Sequence, residues 1–303
     1  MKNKNLKGNL LLLLTSVIWG ISFIAQSKGV ELISPVAFNG IRTMLGAIVL
    51  LPVIFFIDLN KKRKGLPIKK ADKNLLIGGI LCGLLLCIAT TLQTAGMIYT
   101  SPGKSGFITA LYMVIVPVIG LFLGKKPKLT IWLSVFIALG GLYLMCISEA
   151  LTINIGDVLT LLCAFVFAGH ILVIDHFAPK VDGVKLSFMQ FLVCGLINVI
   201  WMFLFEDPEL TPILNCWVAI GYSGIMSCGV AYTLQIVGQK YTDPASASIL
   251  MSLESVFATL STVILVALGW NLTGGALTLR EISGCALMFI AIILIELPEK
   301  QNK

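Results

Sequence analysis

Residues 91–102 read TLQTAGMIYTSP, and residues 233–244 read TLQIVGQKYTDP. Seven of the twelve positions are identical, among them Gln93 with Gln235, Gly96 with Gly238, Tyr99 with Tyr241 and Pro102 with Pro244. Unrelated apolar helices share Leu and Val through composition alone, but they rarely share Gln, Tyr and Pro in register. The match therefore marks an internal duplication. A weaker likeness extends it: Gly8-Asn9 aligns with Gly156-Asp157, and Trp19-Gly20 with Phe167-Ala168. The expected division is one repeat over residues 1–149 and a second over 150–303.

The solvent of these repeats follows from composition. The 303 residues are 57% hydrophobic and only 12% charged, with a mean hydropathy of +0.97. Soluble domains carry about 25% charged residues, so lipid is the natural surroundings, and lipid admits helices or closed barrels. Apolar runs of about 20 residues fit helices, and the short alternating segments of barrel strands are missing. The spans expected are 9–27, 35–57, 74–94, 102–123, 129–147, 155–175, 184–205, 215–237, 244–268 and 280–297. Five spans per copy is an odd number, so the second copy must enter the membrane upside down relative to the first. The expected fold is an all-α polytopic membrane protein of ten transmembrane helices, arranged as two inverted-topology five-helix repeats.

Charge gives the orientation. Of the 22 Lys and Arg residues, 18 fall in segments on one predicted side: the N-terminus, loop 58–73, Lys125, Lys126, Lys128, Lys180, Lys185, Lys240 and the C-terminal tail. The opposite loop 206–214 carries only Glu206, Asp207 and Glu209. By the positive-inside rule both termini face the cytoplasm of a cell inner (plasma) membrane. The net charge of +7 then calls for no nucleic-acid partner. The start, Lys2, Lys4 and Lys7 before a run from Leu10, imitates a signal peptide. The run continues through Trp19 to Ala25, and it is read as the first span. The eight cysteines sit almost wholly in apolar runs, without a CxxC, and are read as small buried residues rather than disulfides or metal ligands.

The residues also resemble a known family. Trp19-Gly20 in span one, Arg42 in span two, Thr100-Ser101-Pro102 opening span four, the SLE core of residues 249–255 in span nine, and the run from Ile282 through Gly284 to Glu296 in span ten are similar to the drug/metabolite transporter superfamily. Within it the likeness is to the EamA-type ten-span family. That resemblance implies secondary transport of small organic solutes such as amino acids or amphipathic compounds, often outward. One departure is visible: Gly124-Lys125-Lys126 and Gly269-Trp270 lack the Glu that the family often places after Gly.

Polar groups within the spans are the candidate cavity residues, because a charge at the bilayer centre costs roughly 2.5–3.5 kcal/mol on insertion scales. Glu254 lies mid-span nine, and the repeat register places Tyr112 opposite it, so both are expected at the central axis. Glu254 would contact a solute amine or hold a proton; a structural hydrogen bond is the plainer alternative. Arg42, whose repeat counterpart is Gln190, would bind a carboxylate or phosphate, or else snorkel outward or pair. Gln93 and Gln235 suit solute hydrogen bonding or helix–helix bonding equally. His170 is a proton relay or an interhelix donor, and Trp19 a cavity wall or a packed ring. Lys104 is expected to snorkel outward; Gly103-Lys104-Ser105 is not a P-loop, since position 98 is Ile. Ser248, Ser252, Ser255 and Thr259, with Gly140, Gly141 and Gly284, read as close helix packing. Asn271-Leu272-Thr273 would be a glycan acceptor only in a eukaryotic secretory context.

The function expected is a secondary active transporter, working as an exporter by alternating access. Its partners would be a small-molecule solute and the lipid bilayer, with no catalytic residue, metal or cofactor, no Walker motif, and a homodimer left open. The rival is a membrane-embedded enzyme acting on a lipid-linked or amphipathic substrate. That class needs clustered Asp, His or Ser at one interface, whereas the polar residues here are scattered between the repeats.

Overall fold

The computed structural model describes residues 2–69, 71–100, 102–146, 153–269 and 277–296. Lys70, Ser101, Trp270, the Asn271-Leu272-Thr273 sequon and the tail cations Lys300 and Lys303 lie outside them. Among the described residues the chain is all-helical, without strands.

Among the described residues, eight helical stretches are long and apolar enough to cross a membrane, and a shorter apolar helix covers Leu129–Met145. In chain order the helices are α1 (Lys2–Val30), α2 (Pro35–Arg63), α3 (Lys73–Gly96), α4 (Pro102–Ala110), α5 (Tyr112–Phe122), α6 (Leu129–Cys146), α7 (Ile155–Phe177) and α8 (Gly183–Phe205). The short α9 (Leu210–Asn215) and α10 (Trp217–Gly221) lead into a π-helical stretch, Tyr222–Tyr232, continued by α11 (Thr233–Gly238). Then follow α12 (Pro244–Met251), α13 (Glu254–Ala267) and α14 (Leu279–Glu296). The protein is inside-out relative to a soluble domain. Large apolar side chains such as Phe55 (63% exposed) and Phe56 (65%) face outward, while Thr15, Asn39, Arg42, His170 and Gln190 are buried. Only lipid makes that arrangement favourable, so the chain is a multi-pass membrane protein.

Local chemistry fixes the helix starts. Ser34 accepts from the Ala37 N–H, and Pro35 occupies the first turn, where its missing N–H costs nothing. Asp72, Asp182 and Asp243 cap α3, α8 and α12 in the same way. Asn154 and Asp157 form a reciprocal capping box on α7. Burial pushes the Asp182 carboxyl up. The hydrogen bond and charge of Lys61, with the N–H groups of Lys185 and Val184, outweigh it, so Asp182 stays below the usual carboxylate range.

Three expected spans differ from plain helices. Span four breaks at Leu111 and span nine at Ser252-Leu253, each through tight i→i−3 turns (Leu111 N–H to Ile108 O, 3.2 Å; Leu253 N–H to Leu250 O, 3.3 Å). Span eight contains the π stretch. Helix α2 also continues past residue 57 to Arg63, so Lys61, Lys62 and Arg63 are helical rather than loop; their long side chains reach polar surroundings from a helical turn.

Packing positions the centre. Helix α2 lies along α8, and α6 along α14. Helix α1 packs on the π stretch, α11 and α13, whereas α7 packs on α3, α4 and α5. The broken helices cross, α4 against α13 and α5 against α12. Close approach needs glycine: a Cβ on Gly96 would lie 2.6 Å from Thr160 Oγ1 and 3.0 Å from Gly156 O, and one on Gly141 would lie 2.7 Å from Gly284 O. Gly140, expected to share that role, faces open space.

Candidate functional site

Each broken helix resumes with a polar residue: Tyr112 opens α5, and Glu254 opens α13. The crossing brings the two together, and Tyr112 Oη donates to Glu254 Oε1 at 3.1 Å. Next to Glu254 in the chain, Ser255 Oγ donates to Gly106 O at 3.4 Å across the same crossing.

Around this pair lies a cavity with about 450 Å³ of empty space, partly open to the surroundings. Of the side chains singled out from sequence, Trp19, Arg42, Gln93, Tyr112, Gln235 and Glu254 line it. Arg42 is 2% exposed and does not snorkel. Its Nε donates to Asn39 Oδ1 at 2.8 Å, Asn39 Nδ2 donates to Thr94 Oγ1 at 2.9 Å, and the guanidinium stands 5.5 Å from the Phe38 ring centre. Neither Arg42 nor Glu254 (5% exposed) has an ion-pair partner among the described residues. Gln93 Nε2 donates to Thr109 Oγ1 at 3.3 Å. Three lining atoms are buried without a partner among the described residues: the Trp19 indole Nε1, Gln26 Oε1 and Gln235 Oε1. Such orphans cost about 1–3 kcal/mol each unless something else meets them.

His170 sits elsewhere. It is fully buried behind the wall, with Nε2 3.0 Å from Gln190 Oε1 and its ring edge-on to the lining rings Phe167 and Tyr232. Lys104 does not snorkel freely either, because its ammonium pairs with Asp157 at 2.6 Å. Thr100 Oγ1 donates to the other carboxylate oxygen of Asp157 at 2.9 Å. The partner is the first-turn acid of α7, 53 residues away in sequence, and a shared end of the bundle joins them. Ser248 and Ser252 donate to carbonyls of their own helix.

Sequence reasoning missed Phe23, Gln26, Thr109, Phe167, Ile171, Ser227, Tyr232 and Met251. Two signals pointed to some of them. Phe23 and Gln26 follow Trp19 at i+4 and i+7, one helical face, and Phe167 is the aligned mate of Trp19. Tyr232, whose ring packs tilted by 59° against Trp19 with centroids 4.6 Å apart, depends on the π geometry and had no such signal. In sum the cavity offers one guanidinium, one carboxylate, uncharged amides and hydroxyls, and an aromatic wall. Among the described residues no His, Cys, Asp or Glu cluster fit for a metal forms.

Comparison with known proteins adds to this geometry. The profile described as the EamA-like transporter family matches residues 6–147 and 154–297. An uncharacterized transporter of Archaeoglobus fulgidus is 29% identical over 97% of this chain and 87% of its own. The uncharacterized transporter YoaV of Bacillus subtilis is 23% identical over 92% and 93%, and the uncharacterized inner membrane transporter YedA of Escherichia coli is 24% identical over 93% and 88%. A solved crystal structure superposes with a TM-score of 0.73 at 18% identity, covering 95% of this chain and 96% of the other; it speaks to the fold alone.

Proposed function

The chain belongs to the EamA-like transporter family, and from that premise we propose that it is a secondary transporter of small organic solutes bearing both an anionic and a cationic group, amino acids or similar amphipathic compounds. The observation that carries this reading is the coexistence of Arg42 and Glu254 in one cavity, each buried and each without a counter-ion of its own. A solute carboxylate is matched by the guanidinium and a solute ammonium by Glu254. The apolar remainder rests on Trp19, Phe23 and Tyr232. A bound solute also meets the orphaned amide oxygens and the indole N–H.

Alternating access is the mechanism we propose, with ten spans in two inverted repeats. The duplicated sequence supports it, and so does the helix packing. The contact of α3 with α7 is matched by that of α1 with the π stretch and α11, and α2 with α8 and α6 with α14 join like to like. Discontinuous helices meeting at a central site suit the same mechanism, since tight turns at Leu111 and Leu253 are natural hinges. Solute binding at Glu254 would compete with the Tyr112 hydrogen bond and so bias the crossing of the two broken helices. Export is the direction the family likeness favours, and the charge distribution favours both termini in the cytoplasm.

The test is counterflow in proteoliposomes over a panel of amino acids and amines. Glu254→Gln should weaken uptake of ammonium-bearing solutes about 10- to 100-fold in KM, the equivalent of a lost charge-assisted hydrogen bond of roughly 1.5–3 kcal/mol, and Arg42→Gln should do the same for carboxylates. Wild-type rates in both variants, or recovery of a chemically converted solute, would overturn the proposal.

A further inference from the structure

The end of the molecule where α2 stops carries a surface that transport does not use. Loop residues 64–69 are pinned there to the start of α8. Lys61 pairs with Asp182 at 2.8 Å and Lys185 with Asp58 at 2.7 Å, while Lys69 Nζ donates to Lys180 O at 3.2 Å and Lys185 Nζ to Lys69 O at 3.0 Å. Gly65, at φ +64°, turns the chain, and the Leu66 N–H returns to Lys61 O at 2.9 Å. Outside this pinned set, Lys62, Arg63, Lys64 and Lys73 are exposed and have no acidic partner among the described residues. Between them stand two apolar side chains directed outward, Leu66 (54% exposed) and Ile68 (36%). Farther back along α2, Phe55 and Phe56 continue the apolar surface into the membrane-facing side.

We propose that this surface binds the headgroup of an anionic phospholipid, with Leu66 and Ile68 set into the boundary between headgroups and acyl chains. Cations alone would accept any anion. The interleaved apolar side chains favour lipid, because a soluble phosphate would leave them in water, whereas a bilayer covers them. The opposite end of the bundle provides an internal contrast. Ser34 Oγ donates to Glu206 there, loop 206–214 bears Glu206, Asp207 and Glu209 with no cation, and Lys28 pairs with Glu31 at 3.0 Å, so no comparable cluster of unpaired cations gathers there among the described residues. The proposal is independent of what the cavity carries.

The experiment uses the full chain in nanodiscs of phosphatidylcholine alone or with one-fifth phosphatidylglycerol, reading retained lipid by native mass spectrometry after extraction. Wild type should retain phosphatidylglycerol over phosphatidylcholine at least tenfold, and salt should reduce the preference. The variant K62Q/R63Q/K64Q/K73Q should abolish it, since each cation near a charged surface counts for roughly fivefold. L66S/I68S should lower retention severalfold with the charges intact. Unfolding temperatures in phosphatidylcholine identify a misfolded variant, and single K64Q and K73Q variants then serve instead. Equal retention of both lipids, full retention by the charge variant, or complete displacement by glycerol phosphate or an acidic peptide at equal headgroup concentration would overturn it.

Discussion

Helix α3 ends in TLQTAG and α11 in TLQIVG, yet the two spans serve the cavity unequally. Both put a glutamine on the cavity and a glycine against a neighbouring helix. Upstream they part. Residues 80–90 continue the regular α3, whereas Tyr222–Tyr232 is π-helical. Span three accordingly contributes one lining residue, Gln93, and span eight three: Ser227, Tyr232 and Gln235. Glycine content does not separate the two, since α3 carries Gly78, Gly79 and Gly83; a bond from a neighbouring helix does. Thr15 Oγ1 donates to Ala231 O at 3.1 Å and Thr233 Oγ1 to Gly229 O at 2.8 Å, meeting carbonyls in the wider turns. A π segment inside a helix often marks a functional site. Here it makes two spans that end in like sequence, TLQTAG and TLQIVG, unlike at the cavity.

The sharpest way to break this comparison is to give span eight the residue of span three. Tyr232 precedes the repeated stretch at the place where Thr90 precedes it in the first half. The Tyr232 ring packs tilted against Trp19, while Thr90 donates back to Leu86 O at 2.8 Å within its own helix. Tyr232→Thr should cost about 3 kcal/mol, the range for truncating a buried aromatic, and should open the cavity beside Trp19 and His170. Thermal unfolding in detergent measures the first effect, and a fall in solute-induced stabilisation the second. A loss under about 0.5 kcal/mol, the usual ceiling for surface changes, would mean that Tyr232 is not part of the packed wall.

A smaller effect tests the π stretch itself. A Cβ on Gly224 would stand 2.9 Å from the Arg42 carbonyl and 2.7 Å from Leu45 Cδ2, whereas Gly221 faces open space with helical φ −60° and ψ −51°. Gly224→Ala should therefore cost about 2 kcal/mol through overpacking, and Gly221→Ala should gain roughly 0.5 kcal/mol by restricting the unfolded chain. Denaturation of the two variants side by side gives the difference. Equal effects would show that the stretch does not seat against α2 as described.

These residues also show what the sequence could disclose. Helix starts were legible because their caps are local: Ser34-Pro35 and Asp243-Pro244 announce themselves. Six of the seven named candidate side chains line the cavity. Charge and amide groups stand out in apolar runs, and the offset between the matching stretches 91–102 and 233–244 set Tyr112 opposite Glu254. The helix breaks were not legible. Leu111, Ser252 and Leu253 are ordinary residues, and only the crossing of α4–α5 with α12–α13 makes tight turns favourable there. The pairing of Lys104 with Asp157 was equally hidden, because nothing in either stretch names a partner on a different helix. His170 lies behind the wall because the same helix presents Phe167 to the cavity and Tyr232 covers the gap, a fact of packing rather than of spacing.

The two repeated glutamines give the finest test. Gln93 already holds Thr109 through its amide, so Gln93→Leu removes a buried hydrogen bond, leaves Thr109 Oγ1 without its donor, and should cost about 1 kcal/mol. Gln235 Oε1 has no partner among the described residues, so Gln235→Leu exchanges an unmet polar atom for an apolar one and should change stability by less than about 0.5 kcal/mol or raise it. The order should reverse for transport, because an amide free of internal bonds is the one available to a solute. Unfolding and counterflow on the same pair of variants would read both scales. If Gln235→Leu proved the more destabilising and the less harmful to uptake, then the amide in span eight serves the fold and the one in span three serves the solute, and the asymmetry attributed to the π stretch would point the other way.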